Sequence, residues 1–186
     1  MDLTSIEDEY ERNGRISRQS ASGLRIAVLA SDPYSAITVA ADTGAVELAD
    51  AIAECLGSDD GMVRWNAAAT LFTRFRTVTY ADRCYELAVA DPDSMVRSIC
   101  LVGAGELLPL VTDEVLRARF AQLIDRVVND ESACPEDRSA AYEAMLAAQD
   151  VLPADRPTAS KIIQIPEDTD ESVLAGFRST YLQAAK

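Results

Sequence analysis

Apolar residues recur at helical spacing along most of the chain. The clearest stripe consists of Leu116, Phe120, Leu123, Ile124 and Val127, which fall one, three or four positions apart and share one face of an α-helix. The same kind of spacing predicts further helices over 45–56, 63–75, 79–90, 96–107, 136–149 and 170–184. Turns rich in Asp, Gly and Pro separate these helices. The pattern therefore predicts an all-α chain.

The amino-terminal part contains two segments for which the pattern leaves alternatives open. Residues 1–20 are polar and charged with Gly14 among them, so a short helix over 3–12 and a disordered segment both fit. The apolar run 24–30 fits either a short strand or a buried helix, because periodicity cannot separate the two over so few residues. Because the segments that follow are predicted helices, a helix is favoured for residues 24–30 as well.

The carboxyl-terminal part is predicted to differ from the middle of the chain. Pro153, Pro157 and Pro166 interrupt residues 150–168, which predicts an extended crossing or linker before the last helix. The predicted division of the chain is a polar segment at 1–20, a helical repeat domain at 21–150, and an extended segment with a capping helix at 151–186.

A short motif occurs twice, 33 residues apart, and each copy follows an Asp-containing turn. Residues 62–64 and 95–97 both read Met-Val-Arg, and the small residue Ala67 matches Cys100. A looser third copy aligns residues 137–138 with 96–97, an offset of 41, and has Asp137 where the other copies have valine. Internal repeats of this length are typical of helical arrays.

This pattern of an Asp-rich turn, Val-Arg and small residues resembles the HEAT-repeat family, which includes the lyase-type HEAT repeats of bacteria. The resemblance covers about 58–148 and implies a right-handed α-α superhelix, that is, a short solenoid of stacked helix pairs. In such a stack, the arginine that opens each first helix can reach a turn carboxylate of an adjacent repeat. The structural ladder predicted in this way comprises Arg64, Asp91, Asp93, Arg97 and Arg138.

The chain is strongly acidic, with 31 Asp and Glu against 17 Lys and Arg and a formal net charge of -14. Proteins that bind phosphate backbones or anionic lipid usually present a basic face, so neither nucleic acid nor a membrane is an expected partner. The charge fits a partner with a basic surface, and it also fits solubility alone. The first residues lack a secretory signal, and no apolar run approaches about 18 residues. A cytoplasmic protein is therefore expected.

Residue types that carry much enzyme chemistry are missing or scattered. The chain has no histidine, so Ser-His and Cys-His couples are excluded. Cys55, Cys84, Cys100 and Cys134 show no C-x-x-C spacing and lie within or beside apolar helical patterns, which predicts buried thiols. No P-loop or dinucleotide fingerprint occurs. We therefore expect a non-enzymatic protein without catalytic residues, metal or cofactor.

Basic residues are missing from a long stretch in the first half of the chain. Residues 26–63 contain seven acids but neither Lys nor Arg. This stretch fits a docking surface for a basic protein, since complementary charge raises the association rate, and it also fits a solvated polar face. Tryptophan is a residue type that is frequent in interface hot spots, so Trp65 could contact a partner. Packing of Trp65 against the next repeat fits the sequence equally well. The predicted partner-binding residues are Asp42, Glu47, Asp50, Glu54, Asp59, Asp60 and Trp65.

Two functional classes follow from these patterns. The first is a protein-binding adaptor or scaffold, and its specific form is an immunity-type inhibitor in which an acidic repeat protein covers a basic toxin. The alternative, implied by the resemblance to lyase-type HEAT proteins, is an enzyme or enzyme subunit that acts on a small ligand such as a bilin. Several acids converging in one cavity would favour the alternative.

Overall fold

The computed structural model describes residues 2–30, 32–152, 155–156 and 162–183. All regular secondary structure within these ranges is helical, which confirms the prediction of an all-α chain. The α-helices are α1 (Leu3–Asn13), α2 (Arg18–Val28), α3 (Pro33–Asp42), α4 (Ala49–Glu54), α5 (Gly61–Ala68), α6 (Ala81–Ala90), α7 (Ser94–Leu107), α8 (Glu114–Asn129), α9 (Pro135–Ala148) and α10 (Glu171–Tyr181). Within the described residues, no helix is long and apolar enough to cross a membrane.

The residues cluster into two compact units. Unit 1 spans Met1–Thr77 and unit 2 spans Val78–Lys186. Helices α1 to α5 belong to unit 1, and α6 to α10 belong to unit 2. The boundary lies inside the stretch 21–150 that the sequence analysis treats as one helical domain.

Unit 1 is organised around α3, which packs against α1, α2 and α5. Ala36 and Ile37 of α3 are fully buried, and α2 adds Leu24 and Val28 to the same core. The apolar run 24–30 therefore belongs to a helix as far as Val28 and not to a strand.

The amino-terminal residues form α1 and the first turns of α2. Asp2 caps α1, because its carboxylate accepts a hydrogen bond from the N–H of Thr4 at 3.1 Å. Gly14 ends α1 with φ 65°, a left-handed conformation that glycine adopts at little cost. Ile6 anchors α1 by its fully buried side chain. The sequence allowed either a short helix over 3–12 or a disordered segment, and the structure shows a helix at Leu3–Asn13.

Helix α5 continues into a π-helical turn at Ala69–Arg74. The wider turn shifts the buried face, so that Leu71 and the next residue, Phe72, are both fully buried. Phe75, which regular spacing places on the buried stripe, is only partly buried. Arg76 follows with φ 52°, which is uncommon for a residue other than glycine. Simple 3.6-residue periodicity therefore fails in this one turn.

Unit 2 is built on the close contact of α7 with α9, with α6 packed against α7 and α8 packed against α9. A Cβ atom at Gly105 of α7 would lie 2.2 Å from the carbonyl oxygen of Ala144 on α9. Only glycine therefore permits the two backbones to approach so closely at this point. Phe120 of α8 and Phe177 of α10 are fully buried and complete the core.

The segment between α9 and α10 is held to the core at several described points. The backbone N–H of Ile163 donates to Ser139 Oγ at 2.9 Å, and that of Asp170 donates to the Tyr142 hydroxyl oxygen at 2.9 Å. Pro166 lies in a turn. Pro153 and Pro157, on which the extended segment was predicted, lie outside the described residues.

Candidate functional site

The turns before α5 and α7 cap their helices in the same way. Asp60 accepts a hydrogen bond from the N–H of Met62 at 2.8 Å, and Asp93 accepts one from the N–H of Met95 at 2.9 Å. Each aspartate thereby satisfies an N–H group that has no partner inside its helix. The two caps are 33 residues apart, like the Met-Val-Arg motifs that they precede.

The arginine of each motif folds back onto its own turn. Arg64 Nη1 donates to the carbonyl oxygens six and five residues earlier, at 2.8 and 3.2 Å. Arg97 Nη1 donates to the carbonyl oxygens six and five residues earlier, at 3.1 and 3.5 Å. The sequence repeat is therefore also a repeat of local structure at these two turns.

One contact of the predicted ladder type occurs within unit 2. Arg97 Nη2 lies 3.1 Å from Asp137 Oδ2 in the first turn of α9, and Ser98 Oγ donates to the other oxygen of Asp137 at 2.8 Å. Arg138 Nε instead donates to the carbonyl oxygen of Val128 at 3.2 Å. The predicted ladder omitted Asp137, because in the third copy it stands where valine was expected.

Asp91 serves its own turn. Its Oδ1 accepts a hydrogen bond from the N–H of Asp93 at 2.9 Å, and Asp93 in turn caps α7. Asp91 is buried, which makes it one of the few acids inside unit 2. Its position in the turn is therefore fixed by hydrogen bonds and burial together.

The six predicted partner-binding acids are all exposed in unit 1. Asp50 and Glu54 lie four residues apart on α4, and Glu47 lies in the 3₁₀ turn Val46–Leu48 immediately before it. This spacing places Glu47, Asp50 and Glu54 on one side of the element, opposite the fully buried Ile52. We call these three residues the α4 acidic stripe. All three side chains are exposed at the surface.

The other three acids take part in local structure as well. Asp42 lies 3.4 Å from Arg74 Nη1 in an exposed ion pair. Asp60 caps α5, and the carbonyl group of Asp59 accepts a hydrogen bond from Arg64. Exposed pairs such as Asp42–Arg74 contribute about 0–1 kcal/mol. Within the predicted acidic set, the residues of the α4 acidic stripe are thus the ones that follow one another along one side of a single element.

Trp65 lies on α5 and is partly buried. The next residue, Asn66, is buried and links α5 to α3, since its side-chain amide donates to the Tyr34 carbonyl oxygen and to Thr38 Oγ1, both at 2.9 Å. This link fixes the orientation of α5. Part of the Trp65 side chain remains accessible to solvent.

Two carboxylates converge inside unit 2, and both bind an arginine. Arg156 Nη2 lies 2.7 Å from Glu106 Oε1, and Arg156 Nη1 lies 3.7 Å from Glu143 Oε1. The Arg156 side chain is only 5% exposed. The apolar pattern of the sequence did not predict this cluster, because it gives no sign that an arginine of the proline-containing segment is buried. The single positive charge of Arg156 offsets one of the two negative charges, and Glu106 is the nearer partner.

Acid and cysteine side chains are the candidate metal ligands of this chain, which has no histidine. The described residues contain no group of three or more acid or cysteine side chains placed to hold a metal ion. Burial, with smaller contributions from the neighbouring Cys100, holds the pKa of Cys84 well above its ordinary value. A thiol with a raised pKa stays protonated at neutral pH and is a poor nucleophile. Cys55 and Cys100 are also buried, as the sequence predicted, but the prediction is wrong for Cys134, which is only partly buried. Cys134 is the N-cap of α9, and its Sγ accepts a hydrogen bond from the N–H of Asp137 at 3.4 Å.

Comparison with known proteins adds no relative. No protein-family model, no curated protein and no solved structure matches this chain.

Proposed function

We propose that this chain is a HEAT-like protein-binding module, a short right-handed α-α solenoid that binds a partner without doing chemistry. The acidic residues of unit 1 are the proposed contact, and the proposed partner is a protein with a basic surface. The observation that carries the proposal is the α4 acidic stripe, in which Glu47, Asp50 and Glu54 share one exposed side.

The repeated turns support the HEAT-like part of the proposal. The α5 and α7 turns share an aspartate cap and an arginine that binds the carbonyl groups six and five residues back. In a helical array each repeat needs a rigid turn of this kind, because the stacking of neighbours depends on a constant helix orientation.

The placement of the acids supports the choice of partner. Like charges spaced four residues apart on a helix destabilise it by a few tenths of a kcal/mol, and Asp50 and Glu54 have this spacing on α4. A basic partner would relieve this repulsion on binding, and the field of the acids would raise the rate of encounter.

The specific form that we propose is an immunity-type inhibitor that covers a basic toxin. The net charge of -14 is compatible with a tight complex with a strongly basic protein. The same charge disfavours nucleic acid as a ligand, since a net negative charge repels a phosphate backbone.

The proposal is tested by affinity capture of the tagged full chain from its native cells, followed by mass spectrometry. Capture at low and at high salt is compared, because salt screens contacts between exposed charges. A stoichiometric basic protein that is released by salt is the expected result. Recovery of no partner at low salt would contradict the proposal and redirect the search to small ligands.

A further inference from the structure

The exposed side of α2 differs from the rest of this acidic chain. Arg18, Ser22, Arg25 and Leu29 are spaced four, three and four residues apart along α2 and its C-cap, and Ile26 lies beside them. All five are exposed, and Ile26 and Leu29 keep 69% and 46% of their surface. We call these five residues the α2 face. It combines two guanidinium groups with two aliphatic side chains.

A groove of about 480 Å³ runs beside the α2 face. Arg18, Ser22 and Arg25 line one side, and Glu47 and Leu48 line the other. The groove therefore has a basic wall along α2 and an acidic residue at its opposite edge. Its size suits a few side chains of a bound peptide rather than a large cofactor.

A second groove of about 540 Å³ adjoins the first, since Ile16, Ser17 and Arg18 line both. It adds Arg15 to the basic side and Glu9 to the acidic side. The Glu9 carboxylate is already occupied, because it accepts hydrogen bonds from the Ser17 N–H at 3.1 Å and from the Ser17 and Ser20 hydroxyl groups. Hydrogen bonds from Ser20 and Ser17 lower the pKa of Glu9, so this carboxylate keeps its negative charge. The adjoining groove therefore adds one base, Arg15, and one acid to this surface.

The bases of this surface lack carboxylate partners. Among the described residues, Arg15, Arg18 and Arg25 form no ion pair. In the same unit, by contrast, Arg74 pairs with Asp42, and Arg64 binds backbone carbonyl groups. In a chain with 31 acids, three adjacent unpaired guanidinium groups are available to the carboxylates of another molecule.

We propose that the α2 face docks an acidic amphipathic helix of a protein partner. Such a helix carries aliphatic residues three and four positions apart, flanked by Asp or Glu. Its aliphatic residues pack on Ile26 and Leu29, and its carboxylates pair with Arg18 and Arg25, which lie about 10 Å apart along the axis of α2. Ile26 and Leu29 lie beside the groove and not in its lining, so the helix packs along the exposed side of α2, where apolar contact supplies affinity and charge supplies orientation.

This docking surface is separate from the α4 acidic stripe and prefers the opposite charge. Only Glu47 borders both surfaces. A variant of the α2 face therefore leaves Asp50 and Glu54 intact. Docking of an acidic helix on the α2 face can fail without affecting the proposal that the α4 acidic stripe binds a basic protein, and the reverse also holds.

The test uses the full chain and two fluorescent peptides of about 16 residues, a length at which a helix becomes marginally stable. The first peptide carries leucines at helical spacing with glutamates between them, and the second carries lysines in place of the glutamates. The expected result is saturable binding of the acidic peptide, measured by fluorescence anisotropy. In R18Q/R25Q and in I26N the affinity falls about tenfold or more.

The matched control is R83Q/R126Q, which removes two exposed arginines from α6 and α8 and should leave the affinity unchanged. Circular dichroism verifies that each variant is folded, as expected for exposed positions. Equal affinity for the lysine peptide, or an equal loss in the control, would overturn the proposal. Sedimentation that shows a dimer in the wild type and a monomer in I26N would also overturn it, because a second copy would then occupy the α2 face.

Discussion

Arg97 and Asp137, which are 40 residues apart in the sequence, form an ion pair at 3.1 Å that joins the start of α7 to the start of α9. Both side chains are largely shielded, with exposures of 27% and 13%. Ser98 adds a third hydrogen bond to the same carboxylate. The pair therefore fixes the register of two helices that the chain itself does not connect directly.

Removal of the Asp137 carboxylate should destabilise unit 2. Asp137→Ala leaves the shielded Arg97 guanidinium and the Ser98 hydroxyl group without this partner, so we expect a loss of about 2 kcal/mol in the free energy of unfolding. Urea titration measures the loss. Glu86→Ala is the matched control, because the exposed Arg83–Glu86 pair is worth about 0–1 kcal/mol. An equal effect of both substitutions would show that the Arg97 contact has no special role.

A methyl group at residue 105 should not be tolerated. In Gly105→Ala the new Cβ would lie 2.2 Å from the backbone oxygen of Ala144, so α7 and α9 must separate. Overpacking of this kind costs about 1–3 kcal/mol or more. At Gly176 of α10 the nearest atom is the end of the Gln149 side chain, whose displacement costs at most its hydrogen bonds to the carbonyl groups of Met145 and Val173. Thermal unfolding should therefore show a larger decrease for Gly105→Ala than for Gly176→Ala, and comparable changes would contradict the close approach.

Loss of the Arg156 side chain should be costly. Arg156→Met removes the cation that pairs with Glu106 at 2.7 Å, and the buried carboxylate is left without it. We expect unfolding free energy to fall by about 3–5 kcal/mol. Hydrogen exchange reports on the segment between α9 and α10, which contains Arg156. The N–H of Ile163 in this segment donates to Ser139 and should exchange faster in the variant. Unchanged exchange and stability would show that Arg156 does not secure the segment.

The buried thiol of Cys84 should make stability fall at alkaline pH. Burial raises the pKa of Cys84, so the unfolded chain loses this proton at lower pH than the folded chain. The folded state is then favoured below the unfolded pKa of about 8.5, and this stability is lost as the pH rises above that value. Urea titrations between about pH 8 and 9.5 should show a decline that is shallower in Cys84→Ala. An identical slope in the variant would contradict this source of the pH dependence.

The helices could largely be predicted from the sequence, because a periodic stripe such as Leu116, Phe120 and Leu123 records which side of a helix is buried. The prediction failed at the turn Ala69–Arg74, where a π-helical turn places Leu71 and Phe72 in the core and leaves Phe75 at its edge. Periodicity assumes a constant number of residues per turn, so a local change in winding is invisible to it.

The candidate site was predicted less completely. The exposure of Glu47, Asp50 and Glu54 followed from their position opposite the apolar stripe of α4. The basic character of the α2 face could not be predicted. The sequence shows that Arg18 and Arg25 are present, but it does not show that they lack carboxylate partners. Likewise, the contacts of an arginine with carboxylates far away in the sequence depend on tertiary packing, which spacing alone does not encode.

The α4 acidic stripe is the proposed contact with a basic protein. The most direct test measures the affinity of the captured partner for three forms of the full chain, by isothermal titration at low and moderate salt. The forms are the wild type, E47Q/D50N/E54Q, and the control E131Q/E136Q/E171Q, which removes three exposed acids of unit 2. We predict that the stripe variant loses about tenfold or more in affinity at low salt, and that the control stays close to the wild type. Equal losses in the two variants would mean that net charge alone attracts the partner, and no loss in the stripe variant would mean that the partner binds elsewhere.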